Sequence, residues 1–254
     1  MLFRSMQVLA AGKHAFIEKP LALTVADARE LVAAAEAGVR VLMVGHLLRF
    51  HPVFQRLQEI VTAGELGRVL YLYTNRLNFG KVRADENALW SLAPHDISLA
   101  LALAGERPEE VSARGEAFLR EGVEDVVFGY LHFPSGLVAH LHVSWLDPHK
   151  SRKLTVVGSE GMAVFDDTDA DRKLTVYEKA SSPSRFDTWG EFQALRTGDV
   201  KIPQVANAEP LVQETTAFVE AVRRGHADVA AGDEGLAVVE VLNALQASLE
   251  QHGA

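Results

Sequence analysis

The chain has 254 residues, 34 acidic against 25 basic side chains, a formal charge of −9 and no cysteine. The lack of cysteine excludes disulfide frameworks, thiolate metal sites, iron–sulfur clusters and cysteine nucleophiles. The acidic balance, with no clustered basic surface in any segment, argues against a nucleic-acid partner. No apolar run approaches the roughly 18–20 residues of a membrane span, and Met1 to Ala11 is too short before Lys13 and His14 for a secretory signal. The expectation is a globular, cytoplasmic chain with no membrane partner.

Hydrophobic period and punctuation then divide the chain. Met1 to Gly12 reads as the tail of a crossover helix, and His14 to Lys19 as a short apolar strand. Thr24 to Ala37 is an amphipathic helix with Ala28, Leu31, Val32 and Ala35 on its apolar stripe, capped by Thr24 and ended by Gly38. Val39 to Gly45 follows with the continuous apolar core of a strand buried on both faces. Together these form a βαβ unit in the later part of a doubly wound domain.

A second helix starts at Pro52 and ends before Gly64. Val69–Leu77 alternates as a strand and Pro94–Ala104 is helical. Strand-like runs then follow one another: Val111–Leu119, Asp125–Phe133, Leu137–Trp145, Lys153–Val157, Met162–Phe165 and Lys173–Glu178. Pro134-Ser135-Gly136 marks a hairpin, while Gly158–Gly161 and Gly232–Gly235 read as a turn and a helix start rather than phosphate loops. A Pro- and Gly-punctuated stretch from Ser181 to Pro210 leads to helices near Leu211–Arg224 and Glu234–Glu250. The fold class is α/β, the C-terminal part of a Rossmann-type domain, followed by an α+β domain with a large, mainly antiparallel sheet. The expected division is 1–46 and 47–231, with the helix at 232–251 packing back on the first part.

Ala11-Gly12-Lys13-His14-Ala15-Phe16-Ile17-Glu18-Lys19-Pro20 resembles the "AGKHVFVEKP" signature of the glucose–fructose oxidoreductase, inositol dehydrogenase and rhizopine-catabolism family. Leu21–Thr24, Val44-Gly45-His46, Gly64–Arg68 and Trp90–Asp96 follow in that family's order. The resemblance implies an NAD- or NADP-dependent oxidoreductase acting on a sugar, assembled as a homo-oligomer, dimer or tetramer. It makes Lys19 and His95 the catalytic pair, and places Glu18, Lys19 and Pro20 against the nicotinamide and its ribose. Lys19 ends a parallel strand, where open α/β sheets hold their ligands. Partial desolvation beside a nicotinamide would lower its pKa, suiting it to hydrogen-bond or protonate the reacting oxygen. His95 would accept the substrate hydroxyl proton. Pro94 before it is expected in a first helical turn, which puts the imidazole at the positive end of a helix dipole and favours its neutral form. Family members commonly carry Asp four residues before this histidine, where this chain has Ser91; Asp96 is the neighbouring carboxylate that could orient the ring instead.

Tyr73 to Arg83, with Glu86-Asn87 and Leu89-Trp90, resembles the nucleotide-sugar branch of the family. In an otherwise acidic chain, Arg76, Lys81 and Arg83 would meet a diphosphate or uronate, Asn78 would read a sugar hydroxyl, and Asp96 completes the substrate-binding set. His140 and His142 on one strand, with His132 across the hairpin, lack a carboxylate partner, so no metal site is expected. The sequence contains no G-x-G turn for a pyrophosphate. The resemblance therefore implies a mononucleotide-binding half of roughly 80 residues ahead of Met1, without which a strand edge and an apolar face are exposed. The alternative is a non-catalytic sugar-nucleotide-binding or oligomerisation module that takes no cofactor.

Overall fold

A computed structural model describes residues 2–80, 82–83, 85–178, 180–181, 195–196 and 198–251. Helix α1 (Leu2–Ala10) leads into β1 (Ala15–Glu18), α2 (Val25–Ala37) and β2 (Leu42–Gly45). β1 and β2 pair in parallel, with Ala15 opposite Leu42 and Glu18 opposite Gly45, which is the βαβ unit the sequence predicts. Thr24 Oγ1 accepts the Asp27 N–H at 3.1 Å, and Gly38 closes α2. A 3-10 turn (Leu47–Phe50) and α3 (Pro52–Thr62), with Pro52 in its first turn, carry the chain to the second sheet.

That sheet contains β3 (Val69–Phe79), β4 (Glu110–Glu116), β5 (Val126–His132), β6 (Val138–Ser144), β7 (Leu146–Gly158), β8 (Met162–Asp166), β9 (Leu174–Tyr177) and β12 (Val200–Lys201). A separate short pair joins β10 (Ala180–Ser181) to β11 (Leu195–Arg196). The spatial order of the large sheet is β12-β9-β8-β7-β3-β6-β5-β4. Every pairing is antiparallel except β3 with β6, which run parallel at the centre. The hairpin at Pro134–Gly136 is present, with Gly136 at φ +83° and its N–H donated to Phe133 O. Gly158–Gly161 turns β7 into β8, and Gly232 opens the last helix.

Helix α4 (Ala88–Ala104) lies across the inner face of the sheet, and α5 (Pro210–Arg224) and α6 (Gly232–Glu250) close the chain. α6 serves two cores. Val239 is buried with Leu9, Ile17, Leu31 and Val44 around the βαβ unit. Val238, Val241, Leu242, Leu245 and Leu249 join Phe54, Ile97, Leu131 and Trp145 against the large sheet. α5 covers the other side of the small sheet, where Phe218 packs on Phe16 with ring centroids 5.4 Å apart. Among the described residues no helix is long and apolar enough to cross a membrane.

Two predicted boundaries are corrected: β7 begins at Leu146, seven residues before the expected Lys153, as an extension that pairs with β3, and the start of α4 also moves. α4 starts at Ala88, capped by the Asn87 side chain accepting from Trp90 N at 3.1 Å, and Pro94 lies inside the helix. A proline in that position removes one backbone donor and pushes against the carbonyl four residues back. The sequence rule that confines proline to a first turn is overridden here by packing: Leu89, Ala93, Pro94 and Ile97 are all buried. His95 is therefore mid-helix and gains nothing from a helix N-terminus.

Candidate active site

The site forms where the two sheets meet. β1 and β2 end side by side, and one residue beyond their last registered pair come Lys19 and His46. Gly45 sits close against that edge: a Cβ there would stand 3.1 Å from the Glu18 carboxylate, which would have to give way slightly. Glu18 itself is exposed, and the Lys19–Pro20 peptide is cis. Lys19 Nζ donates to the Ser91 carbonyl at 2.9 Å, which fastens the lysine to α4 one turn ahead of His95.

Burial lowers the Lys19 pKa, with Arg83 and Arg76 adding to the effect and Glu86 and Glu18 opposing it. Burial likewise pushes His95 well below the ordinary histidine value, reinforced by the charges of Arg76 and Lys19. The neutral imidazole expected from the sequence is thus reached by desolvation and neighbouring cations, not by a helix dipole. His95 Nδ1 is buried and has no hydrogen-bond partner among the described residues.

The large sheet supplies the far wall. Arg76 on β3 donates from Nε to Asp96 Oδ2 at 2.7 Å and from Nη2 to Asp96 Oδ1 at 2.9 Å, a bidentate pair with Asp96 only 2% exposed. Both Asp96 oxygens are engaged by Arg76, so this carboxylate does not orient His95. Side chains on adjacent helical positions point about 100° apart, which is why the two residues face different neighbours. Arg152 on β7 stands opposite Arg76 in register and also acts on His95. Asn78 lies two residues beyond Arg76, where the pairing of β3 with β7 shifts register, and its Oδ1 is buried and unpartnered among the described residues. Arg83 pairs with Glu86 at 2.9 Å and remains mostly exposed. Lys81 lies outside the described residues.

Two cavities flank this centre. One, of about 680 Å³, runs beside Arg152 and is lined by His51, Asp167 and Lys173, with Asp167 receiving Lys173 Nζ at 3.1 Å and facing His51 Nε2 at 3.5 Å. Burial opposes the ionised form, but hydrogen bonds from His51 and Lys173 hold the Asp167 carboxyl far below its ordinary value. The other, of about 440 Å³, opens behind α4 and has His46 and Ser98 in its wall. Sequence reasoning quoted His46 only as part of a motif and gave it no role; the signal for it is its place just after a β-strand that pairs with the strand ending at Lys19. Ser91 was noted only as a departure from the family's Asp and Arg152 was not singled out, because a backbone carbonyl and a cross-strand neighbour leave no pattern in the chain itself.

On the outer face of the large sheet the histidines are interleaved with aromatic rings. Phe128 stacks on His142 at 4.4 Å between centroids, and Tyr130 lies 4.7 Å from His140. In register His132 stands opposite Val138 rather than a histidine.

The sequence model described as the GFO/IDH/MocA C-terminal domain matches residues 54–164, and that of the oxidoreductase family with an NAD-binding Rossmann fold matches residues 5–46. The chain is 30% identical over 174 residues to 1,5-anhydro-D-fructose reductase of Ensifer adhaerens, covering 63% of this chain and 52% of that protein. It is 32% identical over 159 residues to UDP-N-acetylglucosamine 3-dehydrogenase of Acidithiobacillus ferrooxidans, covering 62% of this chain and 49% of that one. The chain thus spans about half the length of these curated relatives. A solved structure of the latter, GnnA, superposes with a TM-score of 0.84 at 25% identity, covering 99% of this chain and 76% of that one. With both family matches in tandem on this βαβ unit and this large mixed sheet, the chain belongs to the Gfo/Idh/MocA family of oxidoreductases.

Proposed function

We propose that this chain carries the reacting centre of an NAD- or NADP-dependent oxidoreductase that moves hydride between a hydroxyl-bearing sugar carbon, of a nucleotide sugar, and nicotinamide. The observation that carries this reading is the convergence of Lys19 and His95 through the Lys19 Nζ to Ser91 carbonyl bond, at the carboxyl ends of β1 and β2. The nicotinamide end of the cofactor fits these residues: Glu18, Lys19 and Pro20 end a parallel strand, and Gly45 leaves their edge free of a side chain. No G-x-G turn in this sequence fits the pyrophosphate end. The nicotinamide, when bound, supplies the hydride acceptor or donor.

The chain's own residues supply proton transfer and positioning. His95, held neutral, accepts the hydroxyl proton as the carbon is oxidised, and Lys19 hydrogen-bonds the same oxygen. Arg76 is fixed by Asp96 at the wall of the site, so it presents its charge in one place at little further ordering cost. Arg83 and Asn78 serve the sugar and its diphosphate, together with Lys81. The 680 Å³ cavity beside Arg152 gives room for the distal half of an elongated substrate. Two copies pair through the outer sheet face, where Phe128, Tyr130 and Tyr71 are exposed.

Titration of the purified chain with NADH, following nicotinamide fluorescence with and without UDP-sugars, tests the reading. Saturable binding, tightened by the sugar nucleotide, supports it, and His95→Ala should then lose about 10²–10⁴-fold in hydride transfer while folding normally. Binding of a UDP-sugar alone, with no NADH binding by folded protein, would establish the non-catalytic module instead.

A further inference from the structure

Arg76 and Arg152 are Cα partners in the antiparallel pairing of β3 with β7, so their side chains leave the sheet side by side on one face. Like charges directly opposite each other weaken a sheet, and a neutral or oppositely charged neighbour would avoid that cost. The fold gains nothing from placing these two arginines together.

Their charges are compensated unequally. Arg76 is locked by Asp96, which takes its Nε at 2.7 Å and its Nη2 at 2.9 Å, and its side chain is 12% exposed. Nη1 of Arg76 makes no hydrogen bond among the described residues. Arg152 is 44% exposed, and its ion pair is a 3.4 Å approach of Nη1 to Asp167 Oδ2. Its Nε and Nη2 make no hydrogen bond among the described residues. Asp167 is committed elsewhere, because its Oδ1 receives Lys173 Nζ at 3.1 Å and faces His51 Nε2 at 3.5 Å. The His51 ring is fixed in that orientation: Nδ1 accepts the Val53 N–H at 3.1 Å, which leaves the proton on Nε2.

Arg76, Arg152 and Lys173 therefore share two carboxylates, Asp96 and Asp167. Arg152 stands in the wall of the 680 Å³ cavity, and its charge reaches His95. Asp171 and Glu209 line the same cavity and are exposed; neither pairs with an arginine of the site, so each disfavours an anion on its own side. An anion is favoured at Arg152.

We propose that Arg152 and Arg76 form a two-arginine subsite for one oxyanion of the substrate, a carboxylate or phosphoryl group attached to the sugar ring that reacts at His95. The subsite rests on the hydride-transfer reading above for the identity of that ring. An oxyanion between the two guanidinium groups replaces their repulsion with charge-assisted hydrogen bonds. Arg76 offers Nη1 from a fixed place, and Arg152 turns its free Nε and Nη2 edge to the ligand. Arg152 is thereby a specificity-determining residue, since an analogue without the charge leaves the repulsion in place. A carboxylate and a phosphoryl group present the same pair of oxygens to an arginine fork.

Calorimetric titration of the full chain with UDP-glucose, UDP-glucuronate and free glucuronate, for wild type and Arg152→Gln, tests the subsite without cofactor. With a ring carboxylate as the oxyanion, UDP-glucuronate should bind at least ten-fold tighter than UDP-glucose, and Arg152→Gln should abolish that preference. With a phosphoryl oxyanion, the two UDP-sugars should bind alike, free glucuronate should not compete, and Arg152→Gln should weaken both UDP-sugars about ten- to hundred-fold. Arg152→Lys, which keeps the charge without the fork, should lie between wild type and Arg152→Gln. Equal affinities of wild type and Arg152→Gln overturn the proposal, as does a carboxylate preference that survives the substitution or a folded wild-type chain that binds none of the three probes.

Thermal unfolding of the same variants shows whether Arg152 serves the fold. Relief of the repulsion should leave the Tm of Arg152→Gln equal to or above that of wild type. A Tm lower by more than about 4 °C would assign the arginine to its Asp167 pair instead. Failure of the subsite and failure of the reaction are separate results. Turnover of a UDP-sugar with NAD that is indifferent to Arg152→Gln removes the subsite alone. Arg152-dependent binding of a UDP-sugar, by a protein that takes no NADH and never turns over, removes the hydride-transfer reading and leaves the subsite.

Discussion

β1 and β2 form a sheet of two strands joined at four registered pairs, whereas each inner strand of the large sheet has a partner on both sides. Two strands do not stand alone in water. The small sheet persists because α2 and α6 cover one face and α5 covers the other, through Val239 and the Phe16–Phe218 contact. The large sheet has its own core, with Trp145, Phe133, Leu72 and Val156 all nearly solvent-free. The difference shows which half is structurally self-sufficient and which is held by helices from the far end of the chain. Lys19 and His46 come from the dependent half, and Arg76, His95 and Arg152 from the independent one.

The largest expected effect breaks the independent half from within. Asp96→Ala leaves Arg76 in its site without a counter-ion, which should cost about 4 kcal/mol of stability in urea denaturation. Asp96→Glu, which retains the charge, should recover part of it. A loss below about 1 kcal/mol would mean that Arg76 turns out to solvent and that the pair is no more than a surface contact.

The seam between the halves is next. Leu245 on α6 packs over β5, its Cδ2 3.5 Å from where a Cβ would stand on Gly129. Leu245→Ala should cost about 3 kcal/mol. Amide exchange at Val44 should speed up by as much as exchange at Leu131, because one helix holds both sheets. If Val44 kept its protection, α6 would not couple the two halves.

How far the sequence foretold this arrangement depends on the range of the interaction concerned. The βαβ unit was legible because Thr24, Gly38 and the Val41–Val44 run act within a few residues of themselves. The two-residue strands β10, β11 and β12 and the first seven residues of β7 were not legible, but six of the strands from Glu110 onward were, for the same reason. Their order was not: β3 pairs with β6 and β7, partners more than sixty residues away, and nothing in the alternation of Val69–Leu77 encodes that choice. Pro94 misled in the other direction, since a local rule placed a helix start where buried neighbours carry the helix through. For the site, Lys19 and His95 were named from their motifs, but the Arg76–Asp96 pair and the unpartnered His46 exist only once β3, α4 and β2 are assembled.

A pH effect sharpens the account of how α5 holds the small sheet. Glu214 is 2% exposed on α5, one turn before Phe218, and faces the Glu18 side of β1. Burial, aided by the Glu18 charge, pushes its carboxyl up from 4.5 to about 7. Its folded pKa exceeds the unfolded one, so the folded state binds the extra proton and stability falls as pH rises between those values. Glu214→Gln should therefore remove a loss of about 2–3 kcal/mol between pH 4 and pH 8, flattening this part of the stability profile. A wild-type profile identical to that of the variant would mean that Glu214 reaches solvent and α5 sits loosely on β1.

The smallest effect isolates what the dependent half contributes by itself. Thr24 Oγ1 caps α2 through Asp27 N, in a contact that involves neither α5 nor α6. Thr24→Ala removes one acceptor from the first turn and should cost about 1 kcal/mol. If the small sheet relies on borrowed helices for most of its stability, this loss should appear as faster exchange in α2 and β1, with the amides of β5 and β6 unchanged, since opening there does not require the large core to move. A global loss of the same size, spread over both sheets, would instead mean that the two halves unfold as one unit, with α6 coupling them tightly enough that even a local cap is felt across the whole chain.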